Sequence, residues 1–168
     1  ILVDRRVRTT QKIRVLSKNQ HVARIDRDNE HIIDKRTEKK IIQLVRDRIR
    51  SIDCLIVSDY AKGLITKGVA SALVNLAREH KKPIVVDTKP QHFSYFRYAT
   101  LLTPNYKEAK EFTKLEDLEK MGRKIQERLH CNVLITKDMT GMILFYDDSI
   151  THFPARRTSL LSVRPSSM

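Results

Sequence analysis

Four short apolar runs, each closing on polar residues, constrain this chain more than any other feature. "LIV" leads into Ser58-Asp59, "IVV" into Asp87-Thr88-Lys89, "LLT" into Pro104-Asn105, and "LI" into Thr136-Lys137. Each is too short for a helix and too continuously apolar for a strand with one wet face. Such text predicts strands buried on both faces. Between them lie "TEKKIIQLVRDRIRS", "ITKGVASALVNLAREH", "YKEAKEFT" and "LEDLEKMGRKIQERLH", all with helical apolar spacing. Thr37 is placed as the N-cap of the first of these. "GMILFYDD" adds a further strand. Buried strands alternating with amphipathic helices give an α/β fold with a mostly parallel sheet flanked by helices.

The polar residues at the strand ends carry the functional signal. In an open α/β sheet, ligands bind outside the carboxyl ends of the strands. Four segments therefore aim Asp59 and Lys62, Lys89, Asn105 and Glu108, and Thr136 and Gly141 toward one rim. Asp, Asn and Thr also belong at such boundaries as turn and cap residues. Four such segments together, each with a Lys or an acid, favour a site that handles phosphate.

The stretch "LLTPNYKEA" supports two readings. Pro104 ends the strand and sets a helix start. Asn105 and Glu108, three apart, face one way on the first turn. They read as an N-cap with its capping box. They read equally as an oxygen pair organising Mg²⁺ through water, because Mg²⁺ keeps waters and takes few carboxylates. Spacing alone leaves both open.

The net charge of +13 invites a nucleic-acid reading, which its distribution weakens. Residues 1–50 carry fifteen Lys and Arg against seven acids, whereas residues 51–150 carry fifteen against thirteen. The excess sits at the ends. Aromatic residues make up only 6% of the chain, without the basic–aromatic interleaving that stacks bases, so nucleic acid is disfavoured. Residues 7–26 are rich in β-branched residues around "SKNQH" and read as two short strands of an exposed flap. Cys54 and Cys131, without metal spacing, read as buried thiols in a reducing compartment. No apolar run reaches the roughly 20 residues of a membrane helix, and no signal peptide is visible. The expected location is cytoplasmic. The opening on Ile1 reads as a chain cut from something longer or processed.

"RTTQKIRVLSKNQHVARID", "VSDYAKGLIT", "VVDTKP", "LLTPNYKEA" and "LITKDMTGMIL" occur in this order. Together they resemble the ribokinase-like (PfkB) carbohydrate kinases. Among these the text is similar to the D-glycero-β-D-manno-heptose 7-phosphate kinases, one half of bifunctional ADP-heptose synthases. The resemblance covers about residues 7–157, which it makes part of a kinase domain with a Rossmann-like, ribokinase-type fold. It implies phosphate transfer from ATP, with Mg²⁺, to a heptose phosphate in lipopolysaccharide core synthesis. It assigns Lys62, Lys89, Asn105, Thr136 and Gly141 to nucleotide and phosphate, and Asn105 and Glu108 to the metal through water. It makes residues 7–26 a β lid over the sugar, with Lys12, Arg14, Arg24 and Asp59 on the substrate. Lids of this family often pair between subunits, which implies a homodimer.

The departures matter as much. The lid entry reads Val7-Arg8-Thr9-Thr10 where the family has a Pro, and Asp87-Thr88-Lys89 replaces Asp-Pro-Lys. The glycine motifs of the family's N-terminal half are missing. The Gly-Ala-Gly-Asp motif, which supplies the anion hole and the catalytic base, does not follow "FPARRT". The Ser-rich end from Thr158 reads as an unstructured or aberrant tail. The expectation is a kinase fragment without activity of its own. The alternatives are a degenerate non-catalytic remnant and a basic nucleic-acid-binding module.

Overall fold

A computed structural model of the chain describes residues 2–3, 9–18, 20–27, 31–137 and 140–155. Within these residues the chain forms a two-stranded hairpin and a six-stranded sheet with helices. The hairpin pairs β1 (Gln11–Ser17) with β2 (Gln20–Arg27) antiparallel, Arg14 opposite Arg24 and Lys12 opposite Asp26. All of its residues are exposed, as the flap reading expects. Val7, Arg8 and the tail from Thr158 lie outside the described residues.

The large sheet has the order β3-β4-β5-β6-β7-β8. Its members are β3 (Leu55–Ser58), β4 (Ile84–Asp87), β5 (Leu101–Leu102), β6 (Asn132–Lys137), β7 (Gly141–Tyr146) and β8 (Ser149–Pro154). The first four are parallel, and β7 and β8 turn back antiparallel. Register aligns the four polar strand ends: Ser58 pairs with Asp87, Val86 with Leu102, and Leu102 with Val133.

The helices are α1 (Lys35–Arg48), α2 (Lys67–Glu79), α3 (Tyr106–Thr113) and α4 (Leu118–Leu129), with a 3-10 helix at Pro90–Phe96. α1 packs on α2, α2 on the 3-10 helix, and the 3-10 helix on α3 and α4. This layer and the sheet bury a core of Val57, Ile84, Val86, Phe93, Phe96, Leu102, Met121, Ile125, Val133, Ile135 and Phe145, none more than 5% exposed. α4 approaches β7 closely because residue 122 is glycine. A Cβ there would overlap the Phe145 ring.

Three expectations need correction. Thr37 is not the cap of α1. Asp34 is, its Oδ1 accepting the Thr37 amide at 2.8 Å, so the helix starts one residue past a carboxylate that the spacing passed over. Cys54 is exposed, because it precedes β3 rather than lying in it, while Cys131 is buried. The strands are not buried on both faces. Ile56 is 73% exposed, and Val85, Leu101 and Leu134 are half-buried, because the described helices form one packed layer behind Val57, Val86 and Val133. Continuous apolar text therefore did not distinguish a doubly covered strand from one with an apolar open face.

Candidate functional site

The carboxyl ends of the parallel strands converge as the topology requires. β5 ends three residues before Asn105, which caps α3. Pro104 O accepts the Thr136 amide at 3.0 Å, and Asn105 and Thr136 form an isolated parallel bridge. The start of α3 and the end of β6 are thus stitched together on one rim.

The capping box at α3 is complete. Asn105 Oδ1 accepts the Glu108 amide at 2.9 Å, and Glu108 Oε2 accepts the Asn105 amide at 3.0 Å. Glu108 is buried, and its other oxygen, Oε1, accepts a hydrogen bond from Lys89 Nζ at 2.7 Å. Lys89 sits just past β4, so this pair joins two strand ends. The bond to Glu108 raises the Lys89 ammonium above the usual lysine range. Asp87 is exposed at the end of β4, yet partial desolvation at the rim first, then the Glu108 charge, hold its carboxyl above the usual carboxylate range. The charges of Glu108 and Asp59 disfavour an ionised Asp87, and Lys89 offsets them in part.

A directly caged metal does not fit. Among the described residues no group of three His, Cys, Asp or Glu side chains is arranged to hold an ion. A hydrated Mg²⁺ does fit the donor set. Each Glu108 oxygen carries one protein bond and retains a lone pair for water.

The β1–β2 hairpin meets the same rim from the side. A cleft of about 740 Å³ is lined by Thr10, Lys12 and Asp26 of the hairpin segment and by Ser58 to Tyr60, Lys62, Leu64, Ile65 and Lys89 of the sheet side. Lys12 Nζ lies 5.6 Å from the centre of the Tyr60 ring. Lys12, Lys62 and Lys89 thus line one hollow. Arg14 and Arg24 share the hairpin with Lys12 but are absent from this lining, and Arg24 pairs with Asp26 at 3.0 Å. A second hollow, about 970 Å³, runs along α4 past Arg97, Phe112, Arg123 and Arg128. It contains none of the strand-end residues and is an open, solvated helix surface.

Asp59 was expected on the substrate, and it does reach the cleft wall. The residue is 5% exposed, and both of its carboxylate oxygens are hydrogen-bonded within the protein. Oδ1 accepts the Ala61 amide at 2.8 Å, and Oδ2 lies 2.7 Å from both Thr88 Oγ1 and His92 Nδ1. Thr88 and His92 escaped the sequence reading. Thr88 stood as a strand-end polar residue and a departure from a Pro, without a partner assigned, and nothing in "KPQHF" marks His92 as facing a carboxylate 33 residues away. Gly141 opens β7 at φ 109°, and a Cβ would overlap the β8 backbone at Phe153. Its glycine is therefore needed for strand pairing as well as standing near the rim.

The family model described as pfkB family carbohydrate kinase matches residues 1–163. The chain belongs to that family. Curated relatives include the bifunctional protein HldE of Wolinella succinogenes, 41% identical over 108 residues, covering 64% of this chain and 23% of that protein. The bifunctional protein HldE of Helicobacter hepaticus is 32% identical over 169 residues, covering 97% of this chain and 35% of that protein. The chain thus spans about a third or less of these relatives. Among solved structures, phosphofructokinase-2 from Escherichia coli in complex with fructose-6-phosphate superposes with a TM-score of 0.65 at 12% identity. That match covers 89% of this chain and 51% of the other. Ribokinase from Thermotoga maritima superposes with a TM-score of 0.58 at 18% identity, covering 90% and 50%. These two likenesses establish the ribokinase-like fold. Among the described residues, no helix is long and apolar enough to cross a membrane.

Proposed function

We propose that this chain is the acceptor-lid and nucleotide-edge portion of an ATP-dependent kinase acting on a heptose phosphate, D-glycero-β-D-manno-heptose 7-phosphate, in ADP-heptose synthesis. The observation that carries this reading is the shared rim. The capped start of α3, the end of β6 and the Lys89–Glu108 pair adjoin a lysine-lined cleft under the hairpin. Phosphoryl transfer depends on positioning and charge stabilisation, and these are the parts the rim offers. Lys12 and Lys62 face the sugar phosphate in the cleft. Lys89 stands at the junction with the nucleotide edge, where Asn105 bridges to Thr136 and Gly141 opens the next strand. ATP would supply the phosphoryl group, and Glu108 and Asn105 would hold Mg²⁺ through water, where it would screen the phosphate charge.

The similarity to HldE proteins supports the substrate class. The exposed hairpin, with Ile13, Val15, Val22 and Ile25 all more than 40% exposed, supports pairing of lids in a homodimer, since an isolated hairpin is marginal in water. The test is thermal unfolding with ATP, MgCl₂, both and neither. Saturating Mg·ATP at about 100 times Kd is expected to stabilise the chain by about 2.7 kcal/mol, and EDTA to remove most of that gain. An unchanged midpoint at millimolar Mg·ATP would overturn the nucleotide reading.

A further inference from the structure

We infer that His92 and Thr88 are positioning residues, which clamp Asp59 so that the loop Tyr60–Gly63 presents Lys62 to an anionic ligand in the cleft. This rests on the proposed sugar-phosphate site. Its basis is the bonding of one buried carboxylate. Asp59 follows β3, and its two oxygens face different ways. Oδ1 holds the amide of Ala61, which sits at φ 56°, a left-handed conformation unusual for alanine. Oδ2 takes Thr88 Oγ1, from the end of β4, and His92 Nδ1, from the 3-10 helix, both at 2.7 Å. One side chain therefore ties the left-handed turn of one strand end to the neighbouring strand and to the helix beyond it.

The chemistry fixes the roles within the clamp. A carboxylate only accepts hydrogen bonds, so both Thr88 and His92 must donate, and His92 carries its proton on Nδ1. The imidazole is held in that orientation by stacking on Tyr95, with ring centres 4.6 Å apart. The carboxylate thus has a donor on each face it shows. Asp59 itself also stands in the cleft wall. Of the loop, Tyr60 is 63% exposed and lies beside Lys12, and the half-buried Lys62 lines the cleft wall. Holding the turn at Ala61 fixes where these two side chains leave the backbone. A ligand then meets an ordered cationic wall and loses less freedom on binding.

His92→Phe keeps the ring and its stacking on Tyr95 but removes the donor. His92→Gln restores a donor without the ring. Amide hydrogen exchange across residues 60–63 is measured in the unliganded chain, beside titration calorimetry with sedoheptulose 7-phosphate as the probe. His92→Phe is expected to speed exchange at Ala61 by about ten- to a hundred-fold, the loss of one bond to a charged group, with exchange in β4 and α2 unchanged. Affinity for the probe is expected to fall by a similar factor, and His92→Gln to recover a substantial part of both. Unchanged exchange at Ala61 in His92→Phe overturns the clamp. Faster exchange with unchanged affinity overturns its role in presenting Lys62. If the unaltered chain binds no sugar phosphate, the proposed site fails, and the exchange data still decide whether the clamp orders the loop.

Discussion

Replacing Glu108 separates the two things its carboxylate does. It closes the capping box at the start of α3 and accepts the Lys89 ammonium. Glu108→Ala removes both. Loss of the reciprocal cap bond costs about 1 kcal/mol. The Lys89 pair adds under about 1 kcal/mol, discounted because the lysine side chain is 44% exposed. The sum, about 1.5–2 kcal/mol, corresponds to a fall in Tm of about 3–8 °C for a domain of this size. Glu108→Gln retains an oxygen for the Asn105 amide and loses only the charge, so its fall should be less than half as large. The folded-state pKa of Lys89 is raised, so the contribution of its pair is fully present below the ordinary lysine pKa. It is lost as pH rises through the raised value, above about 10.5. The assay is thermal unfolding by circular dichroism for both variants at pH 7, repeated with Mg·ATP. Equal destabilisation by Gln and Ala would refute the cap as the main structural role. A Gln variant that unfolds almost normally yet loses the Mg·ATP-dependent gain would separate the functional charge from the structural oxygen.

Three further outcomes follow from the same structure. Gly122→Ala, normally favourable inside a helix by about 1 kcal/mol, should instead destabilise by about 1–3 kcal/mol because its methyl meets the buried Phe145 ring. A companion Phe145→Leu change should recover part of that loss in urea unfolding. Asp87→Asn should raise Tm at pH 7. Its folded pKa is raised by partial desolvation and by Glu108, so ionisation of Asp87 opposes folding above the carboxylate range, and the gain should vanish as pH falls below about 3.8, where Asp87 is protonated in both states. A thiol reagent at pH 8 should modify one cysteine quickly in the native chain and two after unfolding. Cys54 is exposed, whereas burial pushes the Cys131 thiol up to about 12. Rapid loss of both native thiols would contradict the packing around Cys131.

Local chemistry was legible wherever neighbours in sequence set it. The apolar runs ending at Ser58, Asp87, Leu102 and Lys137 became parallel strands because runs so short bury their alternate residues most fully in a sheet. Asn105 and Glu108 formed their capping box because both partners lie within one helical turn. Helix starts were less secure: Asp34 and Thr37 are both sound caps by type, and only the path of the chain entering α1 chose between them. Face was not legible at all, since apolar text at Ile56 reads the same whether a helix covers it or not. The tertiary structure alone brought Thr88 and His92 to Asp59, and Lys89 to Glu108, across separations of 29, 33 and 19 residues. Such pairs depend on strand register and on the turn of the 3-10 helix, which sequence spacing does not encode. The sequence by itself determined which segments become strands and helices, because burial period and capping act within a few residues. Which polar groups meet at the rim was decided by the parallel register of β3 to β6, because only that alignment carries distant side chains to within bonding distance.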